Sequence, residues 1–161
     1  MTLIVSGVAT LSYLEDYAEI HWSALPNAIA TDMVGTTVTP IKAAGVTTGS
    51  AQSANMNTAT NNRIQYTGAL TKKFVVNASL SVAKAGGGSV ECYASIAVNG
   101  TPEAESSIQR TVTSTGTGSV SLTSVVTLAQ NQYVEIFLSA DVDDDITIQY
   151  GTLAAHELFG A

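Results

Sequence analysis

The run Phe74-Val75-Val76-Asn77-Ala78-Ser79-Leu80-Ser81-Val82 decides the fold class. Phe74, Val76, Ala78, Leu80 and Val82 place an apolar side chain at every second position, with Asn77, Ser79 and Ser81 between them. That period of two is the signature of a half-buried β-strand. The same period recurs outward in both directions. Upstream, Ile64 and Tyr66 alternate with polar residues, and Ala18, Ile20 and Trp22 share one face of 15–23 while Tyr17, Glu19 and His21 share the other. Downstream come Val90, Cys92, Ala94, Ile96 and Val98, then Asn99-Gly100, a pair that tolerates positive φ and marks a tight hairpin. A returning strand is expected near 106–112. Val120, Leu122, Val126 and Leu128 mark the next, Val134, Ile136 and Leu138 another, and Ile146, Ile148 and Tyr150 open the last.

No window carries a sustained helical period with caps. Short strands separated by turns every 8–12 residues indicate a β-sandwich or barrel. The expected organisation is an arm or edge strand over 1–14 and a single domain over 15–161. Residues 24–62 read as an irregular, loop-rich segment punctuated by Pro26, Gly35, Pro40, Gly45 and Gly49, with 50–62 as a loop. Two strands carry apolar groups on both faces: Tyr133 and Phe137 oppose Val134, Ile136 and Leu138, and Val75 interrupts an otherwise polar face. Burial on both faces points to cover by another subunit.

The 161 residues include 13 acidic and 6 basic side chains, a net charge of −7, and only 12% are charged. Scattered lysines and arginines exclude a phosphate-binding patch, so neither nucleic acid nor an anionic membrane is an expected partner. A neutral surface rich in hydroxyls suits contact with other protein, because few charges must be desolvated. The apolar N-terminal stretch lacks the basic start of a secretory signal, and no stretch reaches the length of a membrane span. The single cysteine, Cys92, falls on an apolar face and reads as a small buried hydrophobe.

Candidate chemistry is sparse. His21 and His156 each neighbour an acid but lack a third partner at ligand spacing. Asp141, Asp143, Asp144 and Asp145 form the one dense acidic cluster and are the calcium candidates, although their spacing departs from the EF-hand loop; a solvated loop is the plainer reading. No nucleophile elbow, phosphate loop or zinc spacing is present, so neither an enzymatic activity nor a cofactor is expected.

Tyr66-Thr67-Gly68-Ala69, the run 74–82, Ile96-Ala97-Val98-Asn99-Gly100 and Asn131-Gln132-Tyr133-Val134-Glu135-Ile136-Phe137-Leu138 form an ordered series. The series resembles the trimeric jelly-roll domains of the tumour-necrosis-factor and complement-like type in bacteriophage virion proteins. The resemblance covers 63–150 and, loosely, 13–23; Gln132 stands where the pattern often has Asp. It implies an all-β, antiparallel jelly-roll sandwich of about eight strands and a homotrimer, with Tyr133 and Phe137 lining the threefold axis. The function it implies is a decoration or cement protein on the outer capsid surface, made in the host cytoplasm and bound to the major capsid protein. Leu3, Ile4 and Val5 of the apolar arm are the expected capsid contact. The receptor-binding head of a tail or head fibre is the alternative, though the short leader before the domain favours decoration. A sugar-active enzyme or lectin is weakest, since Trp22 reads as core.

Overall fold

A computed structural model describes residues 15–23, 28–33, 39–114 and 116–158. Among them are thirteen strands: β1 (Tyr17–Trp22), β2 (Ala30–Thr31), β3 (Ile41–Lys42), β4 (Thr47–Gln52), β5 (Met56–Asn57), β6 (Ile64–Tyr66), β7 (Lys72–Lys84), β8 (Ser89–Val98), β9 (Thr101–Pro102), β10 (Ile108–Thr113), β11 (Gly118–Leu128), β12 (Tyr133–Ala140) and β13 (Ile146–Glu157). Eight of these are six residues or longer; the rest are short pairings at the margins. Among the described residues the one helical element is a 3₁₀ turn at Ala104–Ser106.

All the pairing is antiparallel and makes two sheets. The 6-stranded sheet runs β11-β7-β13-β1-β4, with β2 on β13. The 7-stranded sheet runs β10-β8-β12-β6-β5, with β3 on β12 and β9 on β8. We call them the six-strand and seven-strand sheets. The chain crosses between the sheets repeatedly, from β6 to β7, β7 to β8, β10 to β11, β11 to β12 and β12 to β13, and this closes a jelly roll.

The core lies between the sheets. From the six-strand sheet come Ala18, Ile20, Trp22, Phe74, Val76, Leu80, Val120, Leu122 and Leu153. Val90, Cys92, Ala94, Ile96, Val134, Ile136 and Leu138 face them from the other. Each set follows the period of two expected from the sequence. Burial pushes the Cys92 thiol up to about 12, which removes the reactive thiolate at neutral pH.

Turn chemistry is local. Asn99 and Gly100 adopt φ of 50° and 79°, the left-handed pair that a two-residue hairpin requires. In the Tyr-Thr-Gly sequence the third residue has a packing reason to be glycine. A Cβ at Gly68 would lie 2.3 Å from the Tyr66 hydroxyl, whose ring packs on Phe74 with centroids 5.1 Å apart.

The return expected near 106–112 is present as β10, which starts after the 3₁₀ turn at 104–106. Two expectations change. The stretch 50–62, expected to be a loop, begins inside strand β4 and contains β5. In the last strand, Ile146 and Ile148 face the core, but a bulge between Ile148 and Tyr150 turns Tyr150 to the outside, where it is 60% exposed. One inserted residue flips every later side chain to the other face of the sheet.

Candidate functional site

Because the sheets bury their inner faces on each other, any site must lie on an outer face, an edge or an end. The two outer faces differ in chemistry.

Across the six-strand sheet the registers stack outward-facing residues in rows. Val125, Val75, His156 and Tyr17 make one row, Thr123, Asn77, Ala154 and Glu19 the next, and Ser121, Ser79, Thr152 and His21 the third. Val125 is 57% exposed. On the five main strands of this face only Lys73 and Glu19 carry a full charge. Glu19 lies 3.5 Å from His21 Nε2 and accepts the Ser50 hydroxyl at 3.0 Å. His21 Nδ1 lies 3.2 Å from the Thr152 hydroxyl, and the His156 ring is stacked on Tyr17. Both histidines therefore sit on this face, although they are far apart in sequence, because β1 and β13 are neighbours. Shallow grooves meet at Ser79 and Thr152. Small, mostly neutral side chains make a surface that loses little on contact with protein.

The outer face of the seven-strand sheet is held by its own chain. Glu135 points outward from β12 yet is 1% exposed. One of its oxygens accepts Lys42 Nζ at 2.5 Å and both Nε and Nη2 of Arg63, at 3.0 and 2.9 Å. The Arg63 guanidinium lies 3.7 Å above the centroid of the Tyr133 ring. Beside this network Asn62 is fully buried with φ of 50°. Its Nδ2 donates to the carbonyls of Ala43 and Ile136, and its Oδ1 accepts Ile136 N–H at 2.9 Å. One amide thus sews the segment around β3 onto β12 and satisfies backbone groups where the ladder stops.

The expected site residues fall as follows. Tyr133 and Phe137 lie on the outer face of β12, each half-buried: Tyr133 under Arg63, and Phe137 opposite Lys42 of β3. Leu3, Ile4 and Val5 lie outside the described residues. The calcium candidates do not converge. Asp141 accepts the Glu91 N–H at 2.8 Å, Asp145 accepts Met33 N–H at 3.3 Å, and Asp143 is exposed. Asp144 pairs with the buried Lys84 at 2.5 Å and accepts the Gly86 N–H at 3.1 Å. The Lys84 hydrogen bond holds the Asp144 carboxyl below its ordinary range. Asp141, Asp144 and Asp145 each fasten a different segment, and among the described residues no three His, Cys, Asp or Glu side chains are grouped to hold a metal ion.

The sequence reading missed a third cluster. Lys72 Nζ lies 2.6 Å from Asp16 and 2.9 Å from Glu157, with Ser53 and Asn55 also donating to Asp16. Burial opposes the charged ammonium, but the hydrogen bonds and fields of Asp16 and Glu157 outweigh it and hold the Lys72 pKa above its ordinary value. The cluster fastens the start of β1 to the end of β13. Trp22 Nε1 is a buried donor with no acceptor among the described residues.

Taken together, the two sheets and their order define a jelly roll of the tumour-necrosis-factor type. Among solved structures, murine APRIL superposes with a TM-score of 0.53 at 12% identity, covering 88% of this chain and 99% of that one. Eiger TNF from S. frugiperda gives 0.51 at 10% identity, over 91% of this chain and 95% of that one. The PRD1 vertex protein P5 matches at a TM-score of only 0.41, with 12% identity, which carries no argument. At such identities the likeness concerns the fold. No protein-family model matches the sequence, and no curated protein matches it.

Proposed function

We propose that the chain is a homotrimeric structural protein of a bacteriophage virion. In this reading copies pack through the outer face of the six-strand sheet, and the trimer decorates the outer capsid surface, bound to the major capsid protein. The chain serves by binding and not by catalysis.

One observation carries the self-association: a broad sheet face with two full charges and exposed Val125 and Tyr150. A solitary sandwich solvates its outer face with lysine and glutamate. The virion assignment rests on the sequence resemblance over 63–150, and the neutral surface supports it. The apolar stretch with Leu3, Ile4 and Val5 remains the proposed capsid contact. This reading moves the trimer contact away from Tyr133 and Phe137, whose strand is already covered by Lys42 and Arg63.

Native mass spectrometry of the unaltered chain tests the assembly, with a mass of three chains expected. A monomer at micromolar concentration overturns it. Copy number in purified particles tests the role. Hundreds of copies per virion are expected of a decoration protein, whereas a few dozen or fewer point to a fibre head.

A further inference from the structure

A groove of about 340 Å³ opens on the seven-strand sheet, on the opposite side of the molecule from the self-association face. Tyr93 of β8, Pro40 before β3 and Pro102 of β9 help to wall it, and Ser95 and Ser139 also line it. The two serines lie on adjacent strands, Ser139 opposite Tyr93 and Ser95 opposite Phe137.

Two features of this groove leave polar groups available to a ligand. Ser95 and Ser139 are 6% and 3% exposed, and neither hydroxyl has a hydrogen-bond partner among the described residues. Both hydroxyls reach the open groove, so their oxygens are free to accept from a bound donor. Glu103 also lines the groove, half-buried, and its carboxylate has neither an ion pair nor a hydrogen bond among the described residues. The most deeply buried carboxylates, Asp16 and Glu135, each hold a lysine or an arginine, as do Glu157 and Asp144.

We propose that this groove receives an arginine or lysine side chain from a partner polypeptide. The apolar walls suit the methylene stem of such a residue, which buries readily while its charged end finds polar company. Glu103 supplies the countercharge, and the serine oxygens accept the remaining N–H groups. A neutral sugar would stack on Tyr93 but leave the carboxylate uncompensated. The net charge of −7 draws a basic segment toward the surface. The groove belongs to one chain, so this inference stands whether or not the trimer forms.

Titration of the ¹⁵N-labelled protein by NMR tests it, with acetyl-Ala-Arg-Ala-amide as the probe. Its lysine counterpart, its neutral citrulline counterpart and methyl glucoside are run in parallel. Saturable shifts are expected at the amides of Tyr93, Ser95, Glu103 and Ser139 with the arginine and lysine peptides. Glu103→Gln should weaken binding about fivefold, and Glu105→Gln, an exposed neighbour, should leave it unchanged. Four results would overturn the proposal: equal binding of the citrulline peptide, shifts centred elsewhere, saturable binding of the glucoside alone, or no saturable shift at tens of millimolar peptide.

Discussion

The two outer faces of this sandwich come from the same alternating code yet end in opposite states. On the six-strand sheet most outward positions are serine, threonine, asparagine and alanine, beside Val125, Val75 and two histidines, and among the described residues nothing closes over them. On the seven-strand sheet the outward positions of β12 include a glutamate, and Lys42, Arg63 and Asn62 close over that strand. The difference teaches where each face finds its partners. A charged group such as Glu135 is shielded only if the chain brings cations to it. A neutral face can wait for a second copy. The seven-strand face is thus largely satisfied within one chain, save at the groove beside Glu103, and among the described residues the six-strand face is left open.

The sharpest way to break this contrast is to put one charge on each face. Val125→Asp adds a carboxylate where the side chain is mostly solvated in one chain, so the fold should tolerate it. Buried between copies, that charge would lack a partner at a cost of several kcal/mol per site, about 3 or more. Loss of the trimer with an unchanged β-sheet circular dichroism spectrum is expected. Tyr133→Asp should retain the trimer mass, because Arg63 is at hand to meet the new carboxylate. If Tyr133→Asp yields monomers while Val125→Asp stays assembled, the faces have been assigned the wrong way round.

Asn62→Ala tests whether the seven-strand face is closed from within. It deletes three side-chain hydrogen bonds and strands buried backbone groups of Ala43 and Ile136. It also places alanine at φ of 50°. A loss of about 3–5 kcal/mol is expected, seen as a fall in melting temperature of about 10 °C. Glu135→Gln is milder. Lys42 and Arg63 are part-exposed and can turn toward water when the countercharge goes. A loss of about 1–2 kcal/mol follows, and a melting curve that does not move would mean the network contributes nothing net.

How much of this was legible beforehand follows from what each contact depends on. The strands of the core could be read from residues such as Phe74 to Val82 because alternation is a local signal. Asn99-Gly100 could be read because turn geometry is local too. Strand β4 could not: five of its six residues are exposed, so no apolar period marks it. Tyr150 was placed with Ile146 and Ile148 because a bulge leaves no trace in a pattern of hydrophobicity. Of the functional surface, the intrusion of Val75 into a polar face was visible, and it now lies beside Val125. The cover over β12 was not, since Lys42 and Arg63 lie 93 and 72 positions before Glu135. Pairing at that distance is decided by topology, which composition does not encode.

The acidic turn after β12 offers the smallest effect and a pH signature that sharpens the comparison, because it lies at one end of the sandwich and belongs to neither face. Lys84, 1% exposed at its side chain, is held by Asp144. The hydrogen bond from Lys84 lowers the Asp144 carboxyl in the folded chain, so the unfolded chain takes up its proton first as the solution is acidified. The stabilisation is therefore fully present above the ordinary carboxyl range near pH 4 and disappears as pH falls through the lower, folded value. Asp144→Asn should reduce the melting temperature by about 2 °C at pH 7, and the gap from the unaltered chain should close as pH falls through the lowered, folded value. A calcium role for the same aspartates predicts something else: a melting temperature that rises with millimolar calcium and loses that rise in Asp144→Asn. With Asp144 already committed to Lys84, the same melting curve with and without calcium is the expected result.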